Sequence, residues 1–311
     1  MINKRYNIDI SLLQKAEALR NQIGNTPVRL FRHWTNKHVR VMAKLEWMQL
    51  SGSVKARAAY FIILESIREG KLFTGKSLLD ATSGNTGIAY ASICKQLGIE
   101  VTLCLPENAS QERKDILKNL GVNIIFTSPF EGTDGAQEIA VELSKRNPDK
   151  YFYADQYKNQ NNWKAHYIST APEILISVPG ITHFVAGLGT TGTFTGTGRR
   201  LKDYGLQIQL VSLQPDNPMH GLEGWKHLES AVIPGIYDAN LADETELIST
   251  EEAYLTIENV YRQDGILLSP SSAANLAGAF RIAEKVKDSQ VVTVLPDNAE
   301  KYSEVIKFLN L

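Results

Sequence analysis

Short apolar runs alternate along this chain with amphipathic stretches of helical period, and most of those stretches close on a glycine. Ser77-Leu78-Leu79-Asp80-Ala81 reads as a strand, 88–97 as a helix ended by Gly98, and 100–105 as the next strand. The cycle returns with a helix at 110–120, Gly121 and a strand at 122–126. It appears again as a strand at 183–186, a helix at 194–204, Gly205 and a strand at 208–213. Tyr151-Phe152-Tyr153 reads as one more core strand, and the charged run from Glu300 to Glu304 as a solvated helix. A glycine just past a helix supplies the left-handed backbone that closes it without a Cβ clash. Strands joined through helices run parallel, since such a crossover returns the chain to the same end of the sheet. The expected fold class is α/β, with open, mostly parallel sheets flanked by helices.

At 311 residues the chain reaches the size at which one core gives way to two domains. With 43% hydrophobic and 22% charged residues it has ample material for a core, which excludes a disordered chain. Basic and acidic side chains number 33 and 34, and no basic run stands out, so neither nucleic acid nor a membrane surface is an expected partner. No stretch approaches the roughly 20 apolar residues of a membrane span, and the first 24 residues lack a signal-peptide core. Cys94 and Cys104 are too few for a disulfide framework and sit in apolar segments, where they read as buried thiols. Six histidines show no metal-ligand spacing, so no metal site is expected. The setting expected from these features is the cytoplasm.

In parallel α/β sheets ligands collect where strands end, so the turns after strands carry the functional information. Gly187-Leu188-Gly189-Thr190-Thr191-Gly192-Thr193 lies between a strand and a helix. Such a turn presents backbone N–H groups at a helix N-terminus, where the dipole favours anions. Its glycines match the dinucleotide pattern by letter, but the acid expected at the end of the next strand is Gln214, with Asp216 beyond Pro215. Three threonines in one turn suit a terminal monophosphate, which needs more donors than a pyrophosphate diester. An oxidoreductase binding NAD through Gly187 to Gly192 stays as the distant alternative. Thr82-Ser83-Gly84-Asn85-Thr86-Gly87 is the second polar turn, read either as helix capping or as a site for a substrate carboxylate. Lys55 lies just before a helical run from Ala58 to Arg68, where a lysine is either a solvated charge or an amine in use.

The order Gly24-Asn25-Thr26-Pro27, Lys44-Leu45-Glu46, Gly52-Ser53-Val54-Lys55, the asparagine turn at 82–87, Gly189-Thr190-Thr191-Gly192-Thr193 and Ser271-Ser272 resembles the cysteine synthase family. These are fold-type II pyridoxal-phosphate enzymes, built like the tryptophan synthase β chain on two sheets and related to cystathionine β-synthase. The resemblance runs from about residue 20 to 305 and is nearest the cysteine synthase B type, on Pro106-Glu107-Asn108-Ala109-Ser110 and 181–193.

The resemblance implies that Lys55 holds pyridoxal 5′-phosphate as an imine and, once displaced, takes the substrate α-proton as general base. It implies that Asn85 bonds the ring hydroxyl, that Gly189, Thr190, Thr191, Gly192 and Thr193 cradle the phosphate, and that Ser271 faces the pyridine nitrogen. A hydroxyl there leaves the ring mostly unprotonated and favours elimination over transamination. The bland reading of Ser271 is a helix cap. Thr82, Ser83 and Thr86 would grip the substrate carboxylate, with Gln156 opposite. His166 and Tyr167 would line the cofactor cleft. Lys226, in Gly224-Trp225-Lys226-His227-Leu228, falls where some phosphoserine users place a cation, or is an exposed loop lysine.

The implied reaction is β-replacement on O-acetylserine or O-phosphoserine by a sulfur nucleophile, through an aminoacrylate, to give L-cysteine. Alternatives are replacement by another nucleophile, of cystathionine or diaminopropionate type, and a serine/threonine dehydratase of the same fold. The implied organisation is a larger cofactor domain at 1–44 and 149–311 and a smaller mobile domain at 45–148, assembled as a homodimer. A sulfur-carrier protein is a possible partner. Departures from the family pattern at Gln49-Leu50, Ala56, Ala171, Ser269-Pro270-Ser271-Ser272-Ala273 and after Pro296-Asp297-Asn298 bear on the substrate rather than the cofactor.

Overall fold

A computed structural model describes residues 8–35, 38–82, 84–205 and 207–311. The strands are β1 (Val28–Leu30), β2 (Val39–Leu45), β3 (Ser77–Ala81), β4 (Val101–Pro106), β5 (Asn123–Thr127), β6 (Tyr151–Tyr153), β7 (His183–Gly187), β8 (Gln209–Pro215), β9 (Glu244–Ile248) and β10 (Ser289–Leu295). The α-helices are α1 (Ile10–Ala18), α2 (Lys55–Arg68), α3 (Asn85–Leu97), α4 (Gln111–Asn119), α5 (Gly132–Arg146), α6 (Gln160–Ala165), α7 (Ala171–Ser177), α8 (Gly192–Asp203), α9 (Thr250–Asp264), α10 (Pro270–Lys285) and α11 (Ser303–Phe308). The alternation expected from the sequence is present, with strand and helix ends at most three residues from those expected; the run 300–304, expected as one helix, is instead a 3-10 turn at Ala299–Lys301 followed by the start of α11. Among the described residues no helix is long and apolar enough to cross a membrane.

The chain forms two compact units. One joins Met1–Ile23 to Lys55–Asn161, and the other joins Gly24–Val54 to Asn162–Leu311. The division falls elsewhere than at 44/45 and 148/149: residues 45–54 go with the second unit, and 1–23 and 149–161 with the first.

The first unit holds an all-parallel sheet in the order β5-β4-β3-β6. Every residue of β3 and β4 is buried, as a strand covered on both faces requires. Leu79, Ala81 and Cys104 of these strands pack with Ala136 and Ala140 of α5 in one cluster. Cys94 and Cys104 are buried free thiols, as read from the sequence, and burial pushes Cys104 up to about 12. From β3 the chain steps to β4 and β5, then returns to place β6 on the other side of β3. That reversal opens a crevice at the carboxyl ends of β3 and β6.

The second unit holds a sheet in the order β1-β2-β10-β7-β8-β9, parallel except for β1 at its edge. Successive residues of its strands feed two different cores. Val41, Ala43, Val185 and Val291 face one cluster, while Met42, Phe184, Ala186 and Val292 face the other. This period of two, with both sets apolar, is what helices on both faces demand. Here the reversal lies between β7, which leads on to β8 and β9, and β10. Each unit therefore has one switch point, and the polar turns read from the sequence follow β3 and β7.

Candidate active site

In the first unit, β3 delivers Thr82, whose N–H donates to the Cys104 carbonyl at 3.1 Å and keeps the turn against the sheet. Thr82 Oγ1 accepts from the Gly84 N–H at 3.3 Å. Ser83 lies outside the described residues. Gly84 is the N-cap of α3 and, as a glycine, makes no side-chain capping bond; among the described residues Thr82 alone of the turn's side chains bonds its N–H. Asn85 opens α3, half-buried, and the fully buried Thr86 follows. A Cβ on Gly87 would come within 2.6 Å of Leu103, so glycine lets the turn lie close on β4.

Gln156, two residues past the loop entry after β6, is 2% exposed and meets this turn. Thr86 Oγ1 donates to Gln156 Oε1 at 2.6 Å, and Gln156 Nε2 donates to the Ala81 carbonyl at 3.2 Å. The carbonyl can only accept, so the amide orientation is fixed. Thr86 and Gln156, which the resemblance implies on opposite sides of one carboxylate, are here in direct contact. Lys55 is the first residue of α2 and is half-buried rather than fully solvated. A cation there works against the helix dipole, which favours anions at this end.

In the second unit, β7 ends at Gly187, whose N–H donates to Asn275 Oδ1 of α10 at 2.7 Å. Three glycines of the turn are required by close approach. A Cβ on Gly187 would sit 2.0 Å from the Trp225 ring, on Gly189 2.0 Å from the Gly224 carbonyl oxygen, and on Gly192 2.0 Å from Asn162 Oδ1. Thr190 Oγ1 accepts from Asn162 Nδ2 at 3.2 Å. Thr191 is the N-cap of α8 with φ 69°, and its side chain makes no capping bond. Thr191 Oγ1 is buried and has no hydrogen-bond partner among the described residues. A buried hydroxyl without a partner costs about 1–3 kcal/mol unless a ligand engages it. The Gly192 N–H reaches Thr190 Oγ1 only at 3.4 Å, so with the N-terminus of α8 the Thr191 hydroxyl makes a site that fits a phosphate oxygen.

Thr193 Oγ1 lies 3.3 Å from His166 Nε2, and His166 Nδ1 lies 2.9 Å from Thr170 Oγ1. His166 therefore braces the turn, whereas Tyr167 turns away to donate to Asp203 at 2.7 Å. The segment 166–170 is π-helical, a conformation that gathers at functional sites. Ser271 is buried at the second position of α10. The cap of that helix is Ser269, which accepts from the Ser272 N–H, so the reading of Ser271 as a cap is corrected. The Lys226 N–H donates to the Leu188 carbonyl at 2.8 Å, which seats this half-buried lysine, in the loop between β8 and β9, beside the glycine-threonine turn. Gln214 Oε1 accepts from the Leu228 N–H at 3.3 Å and so is tied to the same segment, away from the role a ribose-binding acid plays in a dinucleotide site.

Several motif residues prove architectural. Thr26 Oγ1 donates to Glu46 at 2.8 Å, Lys44 Nζ donates to the Thr26 carbonyl at 2.7 Å and pairs with Glu173, and Gln49 bonds Glu46 and the Gly24 N–H. Sequence reading passed over Asn162, Asn275 and Asp80. The last two carried a signal, a lone polar side chain inside Ala273-Ala274-Asn275-Leu276 and inside Leu78-Leu79-Asp80-Ala81.

A family model described as pyridoxal-phosphate dependent enzyme matches residues 19–297. A cysteine synthase of Aquifex aeolicus is 44% identical over 295 residues, which is 92% of this chain and 90% of that protein. Cysteine synthase B of Escherichia coli is 38% identical over 289 residues, covering 92% of this chain and 94% of that one. The crystal structure of an O-acetylserine dependent cystathionine β-synthase from Helicobacter pylori matches with TM-score 0.85 at 32% identity, over 92% of this chain and 96% of that chain. The match to the family spans both switch points and the turns that fill them, and the chain belongs to the cysteine synthase family of pyridoxal-phosphate dependent enzymes.

Proposed function

We propose that this protein catalyses β-replacement on an O-activated L-serine, either O-acetylserine or O-phosphoserine, by a sulfur nucleophile to give L-cysteine. The observation that carries the reading is the turn Gly187 to Thr193. Its close-packed glycines, its place at the N-terminus of α8 and the buried Thr191 hydroxyl fit the phosphate of pyridoxal 5′-phosphate. The relatives named cysteine synthase supply the reaction class.

When bound, the cofactor withdraws electrons from the substrate Cα. The protein does the rest. Lys55 Nζ would hold the cofactor and then, as a neutral amine, take the proton from Cα. Asn85 would bond the ring hydroxyl, Gly189 to Thr193 the phosphate, and Ser271 the pyridine nitrogen, as a hydroxyl that leaves it unprotonated. Thr82, Ser83, Thr86 and Gln156 would hold the substrate carboxylate. Thr86 has one proton and gives it to Gln156 Oε1, so a carboxylate, which only accepts, takes over that proton on binding. Lys226 would meet the leaving group when that group is phosphate. The proposal includes a homodimer, a reducing cytoplasmic setting that suits two buried free thiols, and sulfur delivered as a small nucleophile or by a carrier protein.

The test is direct. Purified protein supplied with pyridoxal phosphate, O-acetylserine or O-phosphoserine, and sulfide is expected to form cysteine. Borohydride reduction should fix the cofactor on Lys55, and Lys55→Ala should lower kcat by at least about 100-fold, the lower end for a lost general base. Absence of cysteine from both substrates, or a label on another lysine, overturns the reading. Replacing sulfide with homocysteine tests whether a thiol amino acid is the better nucleophile.

A further inference from the structure

Asp80 is 1% exposed on β3, between Leu79 and Ala81, which are fully buried. A carboxyl group in such a place is expensive to keep, and burial pushes it up to about 7. Its oxygens are met by backbone donors. Oδ1 accepts from the Ala81 N–H at 2.8 Å, and Oδ2 accepts from the Gln156 N–H at 3.3 Å. The Tyr90 hydroxyl of α3 stands beside it.

The second of those bonds crosses the switch point. Asp80 is the last residue but one of β3, Gln156 follows β6, and the two strands pair as neighbours in parallel register. Gln156 is thereby gripped twice from the end of β3, by Asp80 at its backbone N–H and by the Ala81 carbonyl at its side-chain amide. Its Oε1 is thereby directed at Thr86. The residue before Gln156 gives an independent sign that this position is imposed. Asp155 has φ 48°, in the left-handed region that a residue with a Cβ enters at some expense. A bond that fixes the next N–H holds that conformation in place.

We propose that Asp80 is a positioning residue, setting Gln156 and through it Thr86 for the carboxylate of the amino-acid substrate. The proposal rests on the reading that Gln156 and Thr86 hold that carboxylate. Asp80→Asn keeps the shape but has one acceptor oxygen, so it faces either the Ala81 or the Gln156 N–H with a donor. In the cofactor-loaded protein, KM for O-acetylserine should rise about 10-fold, equivalent to about 1.4 kcal/mol. Values of kcat and KM for sulfide should stay within about 2-fold, and the cofactor absorbance should be unchanged, which a general loss of structure would not allow.

The decisive measurement is a cycle with Gln156→Ala. If Asp80 acts through Gln156, Asp80→Asn adds nothing to KM once Gln156 is alanine. An additive rise, or an unchanged KM in Asp80→Asn alone, overturns the proposal. If Gln156→Ala itself leaves KM unchanged, it is the carboxylate reading that fails. Should the asparagine variant not fold, Asp80→Glu, which keeps two acceptor oxygens, enters the same cycle. A KM change that vanishes with Gln156→Ala supports the proposal, and no change or one that persists overturns it.

Discussion

Thr191 does two unfavourable things at once. It holds a β-branched side chain at φ 69°, and it buries a hydroxyl that no group among the described residues engages. Strain and an unmet polar group together are retained where a ligand supplies the return. Thr191→Val separates these effects, because valine keeps the branching and the volume and removes only the oxygen. The cofactor-free variant should be more stable than wild type by about 1 kcal/mol, the low end for relieving a buried unsatisfied group. Its affinity for pyridoxal phosphate should fall about 10-fold, the loss of one hydrogen bond to a charged group. Thermal melts without cofactor and a cofactor titration read the two effects separately. A variant that is less stable and binds as well as before would show that the hydroxyl serves the fold. The threonines could be read from the sequence as phosphate donors, but which of them is left without a partner could not. That depends on Asn162 and His166 occupying Thr190 and Thr193, contacts made across 28 and 27 residues of chain.

At the scale of elements, α10 does more than cover the sheet. Its N-terminus carries Ser271 and its first turns carry Asn275, while its last turns are fastened to β9 and α9. Arg281 donates to Glu246 at 2.8 Å, to the Leu247 carbonyl at 2.8 Å and to Glu252 at 2.6 Å, and Lys285 also pairs with Glu246. Such a network is worth more than an isolated surface pair, and partial exposure limits it. Arg281→Met should cost about 1–2 kcal/mol at pH 7. The Lys285 hydrogen bond foremost, then Arg281, hold Glu246 down at about 2, against 4.5 ordinarily. The folded form therefore binds fewer protons than the unfolded one in this window. The stabilisation is complete above about pH 4.5 and drains away as pH falls toward 2. Urea melts should show the gap between wild type and Arg281→Met at pH 7 narrowing by pH 3; a constant gap would assign the loss to packing. The helices and strands flanking both turns were legible because each carries its own period and its closing glycine, as at Gly98 and Gly205. The π-helical stretch 166–170 was not, since its register is set by packing against α8 and leaves no local mark in the sequence.

The whole chain is interleaved in a way that local patterns do not register. β2 pairs along its full length with β10, joining Val39–Leu45 to Ser289–Leu295, and this places residues 24–54 in a unit whose other residues begin at 162. No proline-rich or glycine-rich linker marks the crossings at 23/24, 54/55 and 161/162, and the boundaries implied by resemblance, at 44/45 and 148/149, are drawn without this interleaving. The interleaving has a practical consequence. Trp34, Trp47, Trp163 and Trp225 are the chain's four tryptophans, and all belong to the unit that carries the glycine-threonine turn. Tryptophan fluorescence therefore reports the unfolding of that unit alone. Inorganic phosphate, used as a probe of the cradle without the ring, binds only the folded turn and should raise the fluorescence-detected Tm. At ten times its Kd the linkage is about 1.4 kcal/mol, which for a unit of this size is about 4 °C. Trp225 lies against Gly187, so its emission should also change on binding at low temperature. In Gly189→Ala the added methyl meets the Gly224 carbonyl at 2.0 Å, a backbone atom that cannot swing aside, and the phosphate-induced shift should disappear. A shift of equal size in wild type and Gly189→Ala would mean that phosphate acts elsewhere on this unit, and the cradle would lose its claim to the cofactor.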